Sequence, residues 1–442
     1  MIALLGLAVL HVTGAVILSL ASRRPLRVTV RQPSAAIPAI GVLGLASLGA
    51  AGVSLLAALG LSAWLVRPAQ AQPLARFPWR LFSVGALLVL ARPWVPTQWD
   101  EYVWLGKARL ESLGFGAGVR AALDATQHLV PPGYPALWPS AVGWVSLGRD
   151  ALATHTLAAT LLVLLCAAVA LEAWAPLVTR PRPLALAVAL AAPLAWVHLR
   201  STYVDLPVGL MGLALLGQLL ASVEGRPPIE ALFTAVVLAG FKDEGLAHVL
   251  AASAAGWLVS LRRRDAWRLA VPAALALLSV GAWRLLLHGA GVVDSDHALG
   301  LPYWPWLPKL GALVWLHATD VFSWGVFWAV AVAVLLRGAS DGPARAARWL
   351  VVLDFAFVVV ELLCGPERVR AFAENGTLVN RLLVQLWPAA AALVVLALGA
   401  PDAPTATSPA APAGRATPRS EPRLRAPMVR RRRRPAAAGA AP

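Results

Sequence analysis

Residues 157–171, "LAATLLVLLCAAVAL", put an apolar side chain on every side of the helix they would form, and runs of roughly 15–30 such residues recur along the chain. A helix at a water boundary keeps a polar stripe; one apolar all round is suited to lipid. Of the 442 residues, 59% are hydrophobic and 14% charged, too few polar groups to cover a soluble domain built from these segments. The chain therefore reads as an all-α polytopic membrane protein, with segments such as 157–171 facing lipid.

The net charge of +16 does not make it a nucleic-acid binder. Its arginines sit in short loops between apolar runs and in the C-terminal tail, where they hold loops in the cytoplasm and touch anionic lipid. The two cysteines, Cys166 and Cys364, lie inside apolar runs, so neither a disulfide framework nor thiolate metal spacing is present.

Basic loops set the expected orientation. Segment 2–20 lacks preceding charge and is followed by Arg23, Arg24, Arg27 and Arg31, so it is a retained helix with its N-terminus outside. Block 34–66 is basic on both flanks and fits only as a hairpin of two short helices. Span 81–95 then exits, 151–179 returns, 184–199 exits and 206–221 returns. Block 231–261 keeps its following arginines inside only if it is a hairpin broken at "FKDEG", 241–245. Spans 269–288, 311–336, 349–364 and 382–400 complete the crossing, about 11–13 helices in all. The polar clusters near the apolar runs then fall on one side: Asp100 and Glu101, His128, Asp205, Lys242 to Glu244, Asp294 to His297, and Arg381. Charges at membrane depth are costly, so their convergence suggests a lined cavity, with interfacial anchoring as the plain alternative for any one of them.

The outer segment 96–150 is too polar to span and too apolar for a free loop, and is expected to form two or three short interfacial helices. Its "GFGAG", 114–118, follows no strand and lies outside the cell, which argues against a nucleotide-phosphate loop.

Within this segment, "WDEYVWLGKAR" (99–109) followed by "HLVPPGYPALWP" (128–139) resembles the first outer loop of the GT-C membrane glycosyltransferases, which include protein O-mannosyltransferases and lipid A aminoarabinose transferases. "STYVDLPVGLMGLALL" (201–216) is similar to the Asp-x-Pro element of that superfamily, "GFKDEGL" (240–246) to its Lys-x-Glu-Gly element, and "NRLLVQLWP" (380–388) to the Arg-containing start of a late helix. The ordered set covers residues 81–400. It implies a GT-C-like transmembrane catalytic core there, preceded by an N-terminal transmembrane extension, 1–80, and followed by a disordered basic cytoplasmic tail, 401–442.

The resemblance implies an inverting transferase of the bacterial inner membrane, moving a hexose or pentose from a polyprenyl-phosphate donor to a protein, glycolipid or polysaccharide on the extracytoplasmic face. Such transfer needs a carboxylate to take the acceptor's proton and cations to stabilise the departing phosphate. By the family match Asp100 is the general base. Glu101 orients it, holds an acceptor, or perturbs its titration by like-charge proximity. Lys242 and Arg381 are the phosphate-binding candidates, with Arg200 and Lys107 second, although Lys242 beside Asp243 and Glu244 also fits a local ion pair. His128, Tyr203, Asp205 and Glu244 are candidate substrate contacts. The resemblance fixes no cofactor, since some relatives need a metal and others do not; "DSDH", 294–297, has the residue types for a divalent cation but lacks a second ligand cluster.

A rival reading, a lipid-linked-sugar flippase or proton-coupled permease without transferase activity, rests on Asp354 and Glu361, two acids seven apart on one helical face within an apolar run. No internal repeat supports it. In the tail, "RRRRR" at 430–434 is expected on anionic lipid, and "NGT" at 375–377 matches a glycosylation acceptor that the bacterial composition makes idle.

Overall fold

The computed structural model describes residues 1–66, 79–90, 96, 98–126, 133–178, 182–222, 227–261, 266–293, 299–338 and 342–399. Among these every regular element is helical, and residues 1–399 form one compact unit. The chain is thus an all-α polytopic membrane protein. Four helices, Ile2–Ser22, Leu152–Trp174, Ala266–Gly289 and Leu378–Ala397, are each long and apolar enough to cross a bilayer. Two bent pairs raise that number to six, and five shorter apolar helices bring it to the low end of the expected count only if each is taken as a span.

The helix that organises the bundle is α3, Asp205–Leu220, buried along its whole length except its last residue. It packs against α2 (Leu152–Trp174), α4 (Ile229–Phe241), α5 (Asp243–Ser260) and α7 (Thr377–Ala397); α6 (Gly342–Cys364) covers α5 and α7. Helix α1, Trp99–Arg109, lies within segment 96–150 against Leu137–Val145. Glycines set these approaches. A Cβ on Gly217 of α3 would lie 2.8 Å from Trp174 Nε1 of α2, and one on Gly209 would lie 2.1 Å from the Gln385 carbonyl oxygen of α7. Close backbone contact of this kind is how helices gain packing where lipid supplies no hydrophobic drive.

Three expectations change. Segment 157–171 is not lipid-facing: α2 is 83% buried over its apolar window, because α3 and the N-terminal helices enclose it. An all-apolar surface is equally compatible with protein and with lipid. Segment 184–199 is not one straight span but two helices, Pro183–Leu190 and Pro193–Arg200, bent by 65°; Pro193 has no N–H to continue the ladder. Segment 311–336 is likewise broken, by the Asp320 cap and Gly325 at φ +56°, into Leu307–Ala318, Val321–Trp324 and Phe327–Arg337.

Two hairpins do form. Block 34–66 divides at Gly49 (φ +62°) into Ala36–Ser47 and Ala50–Val66. Block 231–261 reverses at a single extended residue, Lys242, between α4 and α5. The turn is tight enough that a Cβ on Gly245 would sit 2.0 Å from the Leu238 carbonyl oxygen. The N-terminal helices, expected as an extension, pack into the same unit, and an Arg24–Glu230 ion pair of 2.8 Å ties them to the start of α4. That pair and Lys242 mark opposite ends of α4, roughly 18 Å apart at 1.5 Å per residue. The calls on residues 401–442 fall outside the described residues.

Candidate active site

The site begins with a helix start. At the first turn of α1, Glu101 is fully buried, and its carboxylate accepts the Gln98 N–H at 3.3 Å and the Thr202 N–H at 3.3 Å. Reaching back to the preceding backbone satisfies donors a helix N-terminus leaves open, and the Thr202 bond fixes α1 to the turn before α3. Glu101 thus fixes the start of α1 through backbone, while its neighbour Asp100 has a 44% exposed side chain.

Asp100 faces Arg381 Nη1 of α7 in a close ion pair. Arg381 Nε in turn donates to Asp205 Oδ2 at 2.8 Å. The other Asp205 oxygen accepts Lys242 Nζ at 2.9 Å and Gln385 Nε2 at 2.8 Å, and Lys242 Nζ also meets Glu244 Oε1 at 2.5 Å. Five charges from four separate stretches of sequence thereby form one network. Lys242, Asp205 and Glu244 are buried and Arg381 nearly so, two acids balancing two bases, which is the condition under which burying them is tolerable. Asp100 is the fifth charge and the exposed one.

Position follows from local structure. Asp205 opens α3, where an anion complements the N-terminal dipole. Lys242 is the one extended residue of the α4–α5 turn, so its side chain is delivered at the end of both helices. Arg381 and Gln385 are one helical turn apart on α7 and both point at Asp205.

Aromatic rings border both cations. The Arg381 guanidinium lies 5.0 Å from the Tyr203 ring centre, and Lys242 Nζ 5.8 Å from that of Tyr134. Tyr134 also stands 5.8 Å from Lys107 Nζ and 5.6 Å from the Trp104 ring. Burial pushes both phenols well above their ordinary value, for Tyr134 with added repulsion from Glu244, so both rings carry their protons at neutral pH. Tyr134 was not singled out in the sequence; its place between Gly133 (φ +86°) and Pro135 was the available signal.

The residues after Tyr134, Pro135 to Leu137, line an apolar groove with a cavity volume of about 50 Å³. Its wall also includes Gly41, Gly44, Val236, Gly240 and Trp283, and Gly240 is two residues before Lys242.

Other candidates are placed elsewhere. His128 and the 294–297 run lie outside the described residues. Among the described residues no three His, Cys, Asp or Glu side chains gather as a metal-binding set. The glycines of 114–118 do cradle an anion, but it is the chain's own. Glu111 accepts the N–H groups of Gly116 (3.1 Å) and Gly118 (3.0 Å), Ser140 Oγ (2.9 Å) and Trp144 Nε1 (3.0 Å).

No protein-family model, curated protein or solved structure matches the chain.

Proposed function

We propose that the chain transfers a sugar from a polyprenyl-phosphate donor to an acceptor at the extracytoplasmic face of the bacterial inner membrane, with Asp100 as general base. The observation that carries this is the network itself: Asp100, Asp205, Lys242, Glu244 and Arg381, taken from four motifs, meet at one end of the bundle. A structural ion-pair network does not require an exposed carboxylate held on a buried arginine, whereas a base that must meet an acceptor does.

The ion pair between Arg381 and Asp100 suggests an order of events. A phosphate engaging Arg381 and Lys242 competes with that pair, releasing Asp100 toward the incoming acceptor. The acceptor oxygen or nitrogen forms its bond to the anomeric carbon as the bond from that carbon to the phosphate oxygen breaks. The proton passes to Asp100, and the phosphate leaves with the electron pair, stabilised by the two cations. The groove wall that includes Gly240, two residues from Lys242, is apolar, the surface chemistry a polyprenyl tail would meet. Tyr134 and Tyr203 set their rings beside the two cations, where they would pack against the sugar.

The test is transfer by purified protein in lipid from a panel of radiolabelled polyprenyl-phosphate sugars to peptide, glycolipid and polysaccharide acceptors. Transfer from any donor supports the reading and names the sugar. Donor binding with no transfer to any acceptor favours the flippase or permease instead, and absence of donor binding overturns both.

A further inference from the structure

Beyond the charged network lies a second polar chain that sugar transfer as described does not use. Gln385 is 2% exposed and spends its amide nitrogen on Asp205; its oxygen lies 3.2 Å from His248 Nε2 on α5. On the other side of the ring, His248 Nδ1 is 3.1 Å from Asp354 Oδ2 on α6. Room for the ring comes from Gly212 of α3, where a Cβ would stand 3.2 Å from both Cβ and Nδ1 of His248. Neither His248 nor Asp354 is needed to neutralise Asp205, which already faces Lys242 and Arg381. Buried polar groups are costly unless hydrogen-bonded, and the direction of this chain follows from Gln385 and His248, whose nitrogens and oxygen are all paired; Asp354 Oδ1 has no partner among the described residues.

Asp205, set between two cations, is held as a carboxylate and only accepts hydrogen bonds, so Gln385 must turn its NH₂ toward Asp205 and its oxygen toward His248. The oxygen in turn requires a proton on His248 Nε2. Nδ1 and Asp354 then share one further proton, on the imidazole or on the carboxyl. Removing that shared proton leaves an ionised Asp354, which draws the remaining ring proton to Nδ1 and strips Nε2. Gln385 would then face a bare nitrogen on one side and a carboxylate on the other, and can no longer satisfy both.

We infer that Gln385 is a positioning residue for Asp205, and through it for Arg381, and that the proton shared by His248 and Asp354 keeps Gln385 in its donating orientation. The groups facing His248 are Asp354 from α6, Gln385 from α7, Glu244 one turn earlier on α5, and the backbone of α3 at Gly212. The consequence for donor binding rests on the function proposed above; the hydrogen-bond assignment does not.

Two measurements on full-length protein in lipid vesicles separate these. The first is nitrogen NMR of ¹⁵N-histidine protein without substrate, with His248 assigned by comparison with His248→Gln. At neutral pH Nε2 should be protonated, losing its proton at alkaline pH in wild type and keeping it in Asp354→Asn, whose amide donates to Nδ1 at every alkaline pH. An unprotonated Nε2 at neutral pH, or the same titration in both proteins, overturns the inference. The second is binding of a radiolabelled polyprenyl-phosphate sugar against pH. Wild type should lose affinity as the shared proton is lost, Asp354→Asn should hold a flat profile over the same range, and Gln385→Met should bind about tenfold more weakly at neutral pH. Parallel profiles for wild type and Asp354→Asn would overturn the coupling. Should no protein bind any donor, the proposed function fails, and the NMR result still decides the assignment of Gln385.

Discussion

Gly209 and Gln385 meet backbone to backbone: a Cβ on the glycine would lie 2.1 Å from the Gln385 carbonyl oxygen and 3.0 Å from its Cα. Helices α3 and α7 are thereby closest one turn inward from Asp205 and Arg381, which meet at 2.8 Å. Contact between the two charges depends on the absence of a side chain at position 209. Gly209→Val should destabilise the fold by about 2 kcal/mol through overpacking and should weaken donor binding as well. Thermal unfolding in detergent and donor binding measure the two effects; a variant with unchanged unfolding temperature would show that the helices are not held at this point.

Asp205 and Asp100 should separate stability from activity. Asp205 is fully buried between two cations, so Asp205→Asn leaves excess positive charge inside the bundle and should cost about 3–5 kcal/mol. Asp100 has a half-open side chain, and Asp100→Asn should change the unfolding temperature little. Equal losses of stability in the two variants would contradict the placement of Asp100 at the open edge of the network.

Glu111 offers a test of the outer segment. Its carboxylate accepts four hydrogen bonds from the 114–118 loop, Ser140 and Trp144, so Glu111→Gln turns an acceptor oxygen into a donor facing donors. A loss of about 2–3 kcal/mol is expected, read by thermal unfolding, with the affinity for donor retained below the unfolding temperature. An unaltered unfolding temperature would show that the loop is not anchored by this carboxylate.

Tyr134 and Tyr203 should stay protonated where ordinary tyrosines ionise, near pH 10. Burial favours the neutral phenol, so the shift is upward and the ring remains a hydrogen-bond donor across the neutral range. Ultraviolet titration should give the same phenolate amplitude near pH 10 for wild type, Tyr134→Phe and Tyr203→Phe; a drop in either variant would place that hydroxyl in solvent.

Much of this architecture was legible from residue type alone. The helical class follows from the apolar runs, and the reversal at "FKDEG" from the arginines after it, because charge sidedness is a property of sequence. The members of the charged network were also legible, since buried carboxylates and cations in apolar surroundings have few roles. Their pairing was not. Nothing in the spacing of Asp100, Asp205 and Arg381 says that one arginine bridges two carboxylates 105 positions apart, and the link from Gln385 through His248 to Asp354 depends on α5, α6 and α7 packing together against α3. Segment 157–171 was misplaced for the opposite reason: an apolar helix carries no mark that distinguishes lipid from protein neighbours.

As the proposed base, Asp100 removes the acceptor's proton. Transfer and donor binding should be measured side by side for wild type and Asp100→Asn in lipid, with matched folding. The variant is expected to bind donor at least as well as wild type, because Arg381 is freed of its competing carboxylate, while turnover falls by about 10²–10⁴-fold. Turnover equal to wild type in the variant would rule Asp100 out as the base.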